Sequence, residues 1–169
     1  MRALLCAVGL LALASQAHAA DSDAMAKTTG GFYAAYSTFH PSDGIPDARG
    51  RAKYAPYVSD RLNGLFVEAK AAEDKFASAN KDTPPLVEGD LFTSNFEGAS
   101  SYKVGTCAGD AKAVHCAVQL TYDPGKTGNP KDKPINWTDT AYLVNTPAGW
   151  KVDDIGFGGN WDFGNKGKM

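Results

Sequence analysis

The hydrophobic period of the chain changes once, across "NKDTPP" (Asn80 to Pro85), and that change constrains the fold more than any motif. Before it, apolar residues recur at steps of three and four. "SDRLNGLFVEAKAAEDKFASAN" sets Leu62, Leu65, Phe66, Ala69, Ala72 and Phe76 along one stripe, with Ser59 as a natural N-cap and Asp60 in the first turn. Upstream, "MAKTTGGFYAAYSTFH" gathers Met25, Phe32, Tyr36 and Phe39 toward one helical face, although Gly30-Gly31 weakens its start. Pro41 and Pro46 break it, and a short helical piece is expected as far as Lys53. After the change the chain alternates with period two. "SSYKVGTC", "AVHCAVQLTYD", "INWTDTAYLV" and "GWKVDDIGFG" read as strands, and Val114, Cys116, Val118, Leu120 and Tyr122 share one face of the second. Helices followed by an antiparallel meander define an α+β domain with the helices on one face of the sheet. Phe32, Tyr36, Leu62, Phe66, Val118, Leu120 and Leu143 are the expected core between them.

The N-terminus speaks to compartment. "MRALLCAVGLLALASQAHAA" has one positive charge at Arg2, a short apolar run from Ala3 to Ala14, and the triplet Ala17-His18-Ala19. This is the pattern of a secretory signal over residues 1–19, cleaved after Ala19 or one residue later, leaving residues 20–169 as one domain. The apolar run falls short of the roughly 20 residues a membrane-spanning helix needs. Cleavage removes Cys6 and leaves Cys107 and Cys116, which an exported chain is expected to join. The pair lacks the Cys-x-x-Cys spacing of redox centres, so its expected role is structural. Cys107 is out of phase with Tyr102 and Val104, so the bridge requires a bulge, expected at Gly105. The formal net charge of −2 gives no basic face, which argues against nucleic acid as a partner.

Several apparent motifs dissolve on inspection. "GKT" at Gly125 to Thr127 has Leu120 where a phosphate loop requires its first glycine. His40 and His115 lack the paired spacing of metal ligands, and no cofactor pattern is present. Asn136-Trp137-Thr138 fits a glycosylation sequon but lies inside a strand, behind a bacterial-type signal. The acids are more informative. Asp139 is in phase with Trp137, Ala141 and Leu143; Asp154 is in phase with Trp150 and Val152; Asp153 goes with Ile155. If the last hairpin closes through "TPAG", Asp139 and Asp154 become diagonal neighbours on one face and candidates for a general base. The alternative is hydrogen bonding to backbone or to a tryptophan N–H at the sheet end, with Asp154 as the more buried of the adjacent pair. Tyr33, Tyr36, Tyr54, Tyr57, Trp137 and Trp150 could line an amphipathic cavity between helices and sheet, or simply fill the core. "VEGDLFTSNFEG", Val87 to Gly98, is the best candidate rim, contributing Asp90 and Phe92.

"APYVSDRL", "PPLVEGDLFTSNFEG", "WTDTAYLV" and the closing "GWKVDDIGFGGNWDF" resemble an exported bacterial family of domains of unknown function that end on Trp-x-Val/Ile-Asp-Asp-Ile. The likeness covers most of the chain from Phe32 onward. The order of elements also resembles the nuclear-transport-factor-two-like cone of ketosteroid isomerases. That likeness implies a curved sheet with a pocket between it and the helices, and it implies no activity. The expectation is therefore a periplasmic or secreted module binding a small ligand or an envelope protein. One alternative is a cone-fold isomerase, dehydratase or hydrolase with Asp139 or Asp154 as base. Another is an inhibitor of a cell-envelope enzyme, using the loop from Lys126 to Lys133.

Overall fold

The computed structural model describes residues 7–38, 44–109, 114–125, 132–162 and 164–169, with side chains from residue 21 onward. Phe39, His40 and residues 126–131 of the expected inhibitory loop (Lys126 to Lys133) lie outside the described residues. Helix α1 spans Ala7–Tyr36, α2 spans Ala48–Tyr54 and α3 spans Asp60–Ala79. Strands β1 (Ser101–Gly109), β2 (Val114–Tyr122), β3 (Ile135–Thr146), β4 (Gly149–Phe157) and the short β5 (Gly167–Lys168) follow. They form one open antiparallel sheet in the order β1-β2-β3-β4-β5, so the domain is α+β with a meander.

Caps chosen by the sequence start the two shorter helices. Asp47 accepts from the Gly50 amide at 2.7 Å, and Ser59 accepts from the Leu62 amide at 3.0 Å. In α1, however, Gly30-Gly31 lies inside the helix rather than at its start. Packing overrides propensity there: a Cβ on Gly31 would sit 2.1 Å from the Tyr57 ring, so only glycine lets that ring approach. Residues of the expected signal segment enter the same helix.

The core fills the space between α1 and the sheet. Phe32, Tyr33, Tyr54, Val118, Leu120, Ala141, Val152 and Ile155 are buried together. Leu143 does not belong to that cluster; it packs with Met25, Cys107 and Cys116 beneath the earlier part of α1. On α3 the long stripe is also trimmed, because only Leu62 and Phe66 are buried while Leu65 is 44% exposed. Beyond Phe66 no residue of the helix is fully buried, although Ala69, Glu73 and Phe76 are half-buried.

Two irregularities in the ladder matter. Between Val104 and Cys107 the β1–β2 register shifts, bringing Cys107 opposite Cys116, and the two are disulfide-bonded. Between β3 and β4, Leu143 pairs with Val152 but Tyr142 pairs with Asp154, so Asp153 is an extra residue. This bulge lets both Val152 and Ile155 face the core despite their odd separation. It also places Asp139 beyond Thr140–Gly156 in the ladder, on the face opposite to Asp154. The expected diagonal pair of Asp139 and Asp154 therefore does not form: strict alternation had no allowance for the extra residue.

Candidate functional site

Three aspartates acquire quite different surroundings. Asp153, at the bulge, accepts from Arg61 Nε at 3.0 and 2.9 Å and from the Ser59 hydroxyl, and it ion-pairs with the same guanidinium at 2.8 Å. Ser59 N–H donates to Val152 O, so the carboxylate fastens the start of α3 to β4. Burial works to raise its pKa, but the Arg61 and Ser59 donors outweigh it and hold the carboxyl below the usual range. Asp154, expected to be the tethered member, accepts from its neighbouring Ile155 amide at 2.8 Å and is half-buried.

Asp139 is fully buried at the end of β3 nearest the 86–100 loop. Its Oδ2 accepts from Ser94 N–H at 2.8 Å and Trp137 Nε1 at 2.9 Å, while Oδ1 accepts from Gly158 N–H at 2.8 Å and from the Ser94 hydroxyl. Gly159 N–H in turn donates to Ser94 Oγ at 2.9 Å. A carboxylate offers about four acceptor directions, and these donors fill them. Trp137 is thus a partner of this knot, and its ring meets Trp161 edge-on at 5.2 Å. The chain after β4 must pass very close: a Cβ on Gly158 would lie 2.1 Å from Thr138 O, and one on Gly159 would strike Ser94 Cβ at 2.6 Å.

Asp90 occupies the same loop, four residues before Ser94, and is 3% exposed. Gly89, at φ +76°, turns the chain into it, and Asp90 N–H donates to Phe96 O at 2.9 Å. Asn165 Nδ2 donates to Asp90 O at 2.7 Å and to Thr93 O at 2.8 Å, so the C-terminal segment straps the loop down. On the side chain, Oδ2 accepts from Tyr36 Oη at 2.8 Å and Oδ1 from Phe92 N–H at 2.8 Å. Ala99 N–H donates to Tyr36 Oη at 2.8 Å, fixing the phenol. Burial raises the Asp90 pKa to about 6, against hydrogen bonds from Tyr36, Phe92 and Thr93 that favour its ionised form. Those donors are neutral. The Tyr36 phenol is pushed well up, first by burial and then by the Asp90 charge.

Above this pair opens a cavity of about 510 Å³, bounded by Tyr36 and Thr38 at the end of α1, Ile45 to Tyr54 around α2, Lys70 and Glu73 of α3, and Asp90, Leu91 and Phe92. No strand contributes to its wall, whereas the sequence had suggested a pocket between helices and sheet. The reason is volume: Phe32, Tyr33, Val118, Leu120 and Ile155 fill that interlayer. Of the candidate binding residues, Asp90, Phe92 and Tyr36 come together in the cavity wall, and Tyr54 joins them. Tyr33 does not line it; the ring is buried, stacked on Tyr102 at 5.6 Å, and its pKa is raised by burial and then by the Asp139 and Asp90 charges. Arg49 and Lys53, which stand four apart on α2 and face the cavity, were not foreseen. Their spacing behind an Asp47 cap was the available signal.

Among the described residues no cluster of His, Cys, Asp and Glu could hold a metal ion, and no helix is long and apolar enough to cross a membrane. Compared with protein-family models and with curated proteins, the chain matches none.

Proposed function

We propose that the protein is an exported binding module whose small ligand occupies the cavity above Asp90 and Tyr36. The observation that carries this reading is the position of Asp90: a carboxylate held almost out of water, with a raised pKa, in the wall of a cavity of about 510 Å³. Such an arrangement is unfavourable for folding alone and is characteristic of sites that meet a ligand. The neighbouring Asp139 supports binding over catalysis, since its acceptor directions are filled and it does not line the cavity. An aspartate base at Asp139 would first have to shed those donors.

Export draws support from the N-terminal pattern and from the Cys107–Cys116 bond. The helices-then-meander order supports placement among cone-like domains, and the closing Trp-x-Val-Asp-Asp-Ile supports the exported bacterial family. A broad fragment library containing cations, anions and neutral compounds, read by amide chemical shifts, tests the site. Binders should move the Tyr36, Asp90, Leu91 and Phe92 signals; hits confined to the sheet would overturn the assignment. Intact mass of the protein recovered from a bacterial periplasm should show cleavage after Ala19 or one residue later.

A further inference from the structure

We infer that the cavity selects an organic cation, an ammonium group carried on an apolar body, with the cation seated on Asp90 among the rings of Tyr36, Tyr54 and Phe92. This rests on the cavity being a ligand site and adds the ligand's chemistry. The floor joins the two features that recognise an ammonium. One is a buried carboxylate whose partners are the Tyr36 hydroxyl, the Phe92 amide and Thr93, with no cation among the groups that hold its charge. All of these donors are neutral, Thr93 giving both its hydroxyl and its N–H, so an ammonium arriving from the cavity would bring the first positive charge to this carboxylate. The other is an aromatic wall: Tyr36, Tyr54 and Phe92, packed on one another, all line the cavity. A cation within about 6 Å of such faces is attracted to them, more strongly when desolvated.

An anionic ligand fits the floor poorly, because it would meet the Asp90 charge in a site with little water to screen it. The rim does not reverse this. Lys70 is held by Glu73 at 3.4 Å and by Asp74, and Asp47 and Glu73 stand beside Arg49 and Lys53 around the opening. Ile45 and Leu91 supply apolar surface for the body of the ligand between floor and rim.

The test uses three probes of one shape and different charge: 2-phenylethylammonium, 2-phenylethanol and 3-phenylpropionate. Each is titrated into the full mature protein and followed by the amide signals of Asp90, Leu91 and Phe92. At about pH 8 the ammonium should bind at least about tenfold more tightly than the alcohol, and the propionate most weakly. The preference should collapse below about pH 5, where Asp90 is protonated, and in Asp90→Asn at any pH. The titratable and charged groups around Asp90 are Tyr33 and Tyr36 from α1, Asp47, Arg49, Lys53 and Tyr54 around α2, and Lys70 and Glu73 from α3. With Tyr36 pushed upward, protonation of Asp90 is the change that removes the cation's partner. Should Asp90→Asn fail to fold, the pH comparison on the wild-type protein decides alone. Equal or tighter binding of the alcohol or the propionate at these amides would overturn the cation inference while leaving the ligand site standing. No response of these amides to any probe would also overturn it, and the broad library then judges the site separately.

Discussion

Asp139 and Asp90 are both carboxylates buried beside the same loop, yet one is closed and the other open. Asp139 receives Ser94 N–H, Trp137 Nε1, Gly158 N–H and the Ser94 hydroxyl, and it binds β3, the loop and the post-β4 chain into one body. Asp90 is held by neutral donors and borders a cavity. Burial and hydrogen bonding alone therefore do not separate a structural acid from a functional one; the presence of adjoining space does. The closed site makes the open one possible, because the loop that Asp139 anchors at Ser94 is the loop that presents Asp90 and Phe92.

The largest expected effect comes from opening the closed site. Asp139→Ala leaves the Ser94, Trp137 and Gly158 N–H groups without their acceptor and should destabilise the fold by about 3–5 kcal/mol in urea unfolding. Asp139→Asn should lose less, about 2–4 kcal/mol, because the Ser94 hydroxyl can turn to accept from the new amide. A loss under about 1 kcal/mol for the alanine variant would mean that the knot is not what orders the loop.

Asp90 should behave with the opposite sign. Its folded pKa of about 6 lies above the unfolded 3.8, so the native state holds its proton more tightly. The resulting stabilisation is complete below the unfolded value and is lost as pH rises through about 6. Two units correspond to about 3 kcal/mol at most, with other titrating groups superimposed. Asp90→Asn should remove that part of the pH dependence and match or exceed the wild type near neutrality. Measured unfolding free energies across this range that are identical in slope for both proteins would erase the distinction between the two aspartates.

How these two sites could be read in advance differs as well. Asp139 announced itself by phase, since Trp137, Ala141 and Leu143 share its face and are buried with it. Its main partner, Ser94, comes from an irregular loop where no period operates. Asp90 and Phe92 were singled out by the mixed chemistry of their loop, and Tyr36 by helical spacing. That they meet is a tertiary event joining positions 54 residues apart. The helices-then-sheet order and the Cys107–Cys116 bond, with its phase change near Gly105, were legible because period and compartment logic act locally. The Asp153 bulge was not: one added residue leaves hydrophobic alternation almost unchanged in a stretch that already carries two adjacent acids. β5 is two residues long, too short for any pattern.

A milder cut at the closed site is Trp137→Phe, which removes one donor from Oδ2 and leaves Ser94 N–H in place. The expected loss is about 1–2 kcal/mol, part from the hydrogen bond and part from the lost ring volume. In the background of Asp139→Ala the same replacement should cost less, because the indole N–H then has no carboxylate to serve. Additive losses in that double-mutant cycle would show that Trp137 contributes by packing on Trp161 alone.

The smallest effect is expected at Asp153, which sharpens the comparison by adding exposure as the variable. Its donors include a guanidinium and the Ser59 hydroxyl, a stronger set in kind than the neutral donors around Asp90. Yet the Arg61 side chain is 55% exposed, so water competes for every contact and salt screens the charge. Arg61→Gln should therefore lose no more than about 1 kcal/mol, and less in high salt. The pH dependence runs opposite to that of Asp90. With its folded pKa held below the unfolded value, Asp153 contributes stability above the ordinary carboxylate range, and that contribution disappears as pH falls through the depressed value. Arg61→Gln should thus weaken the protein toward neutral pH and converge on the wild type in acid, whereas Asp90→Asn should diverge from it as pH rises through about 6. If Arg61→Gln proved as damaging as Asp139→Ala, exposure would not be the discount assumed here. The bulge and the start of α3, which Asp153 ties together, would then rank with the Asp139 knot as an organising centre of the fold.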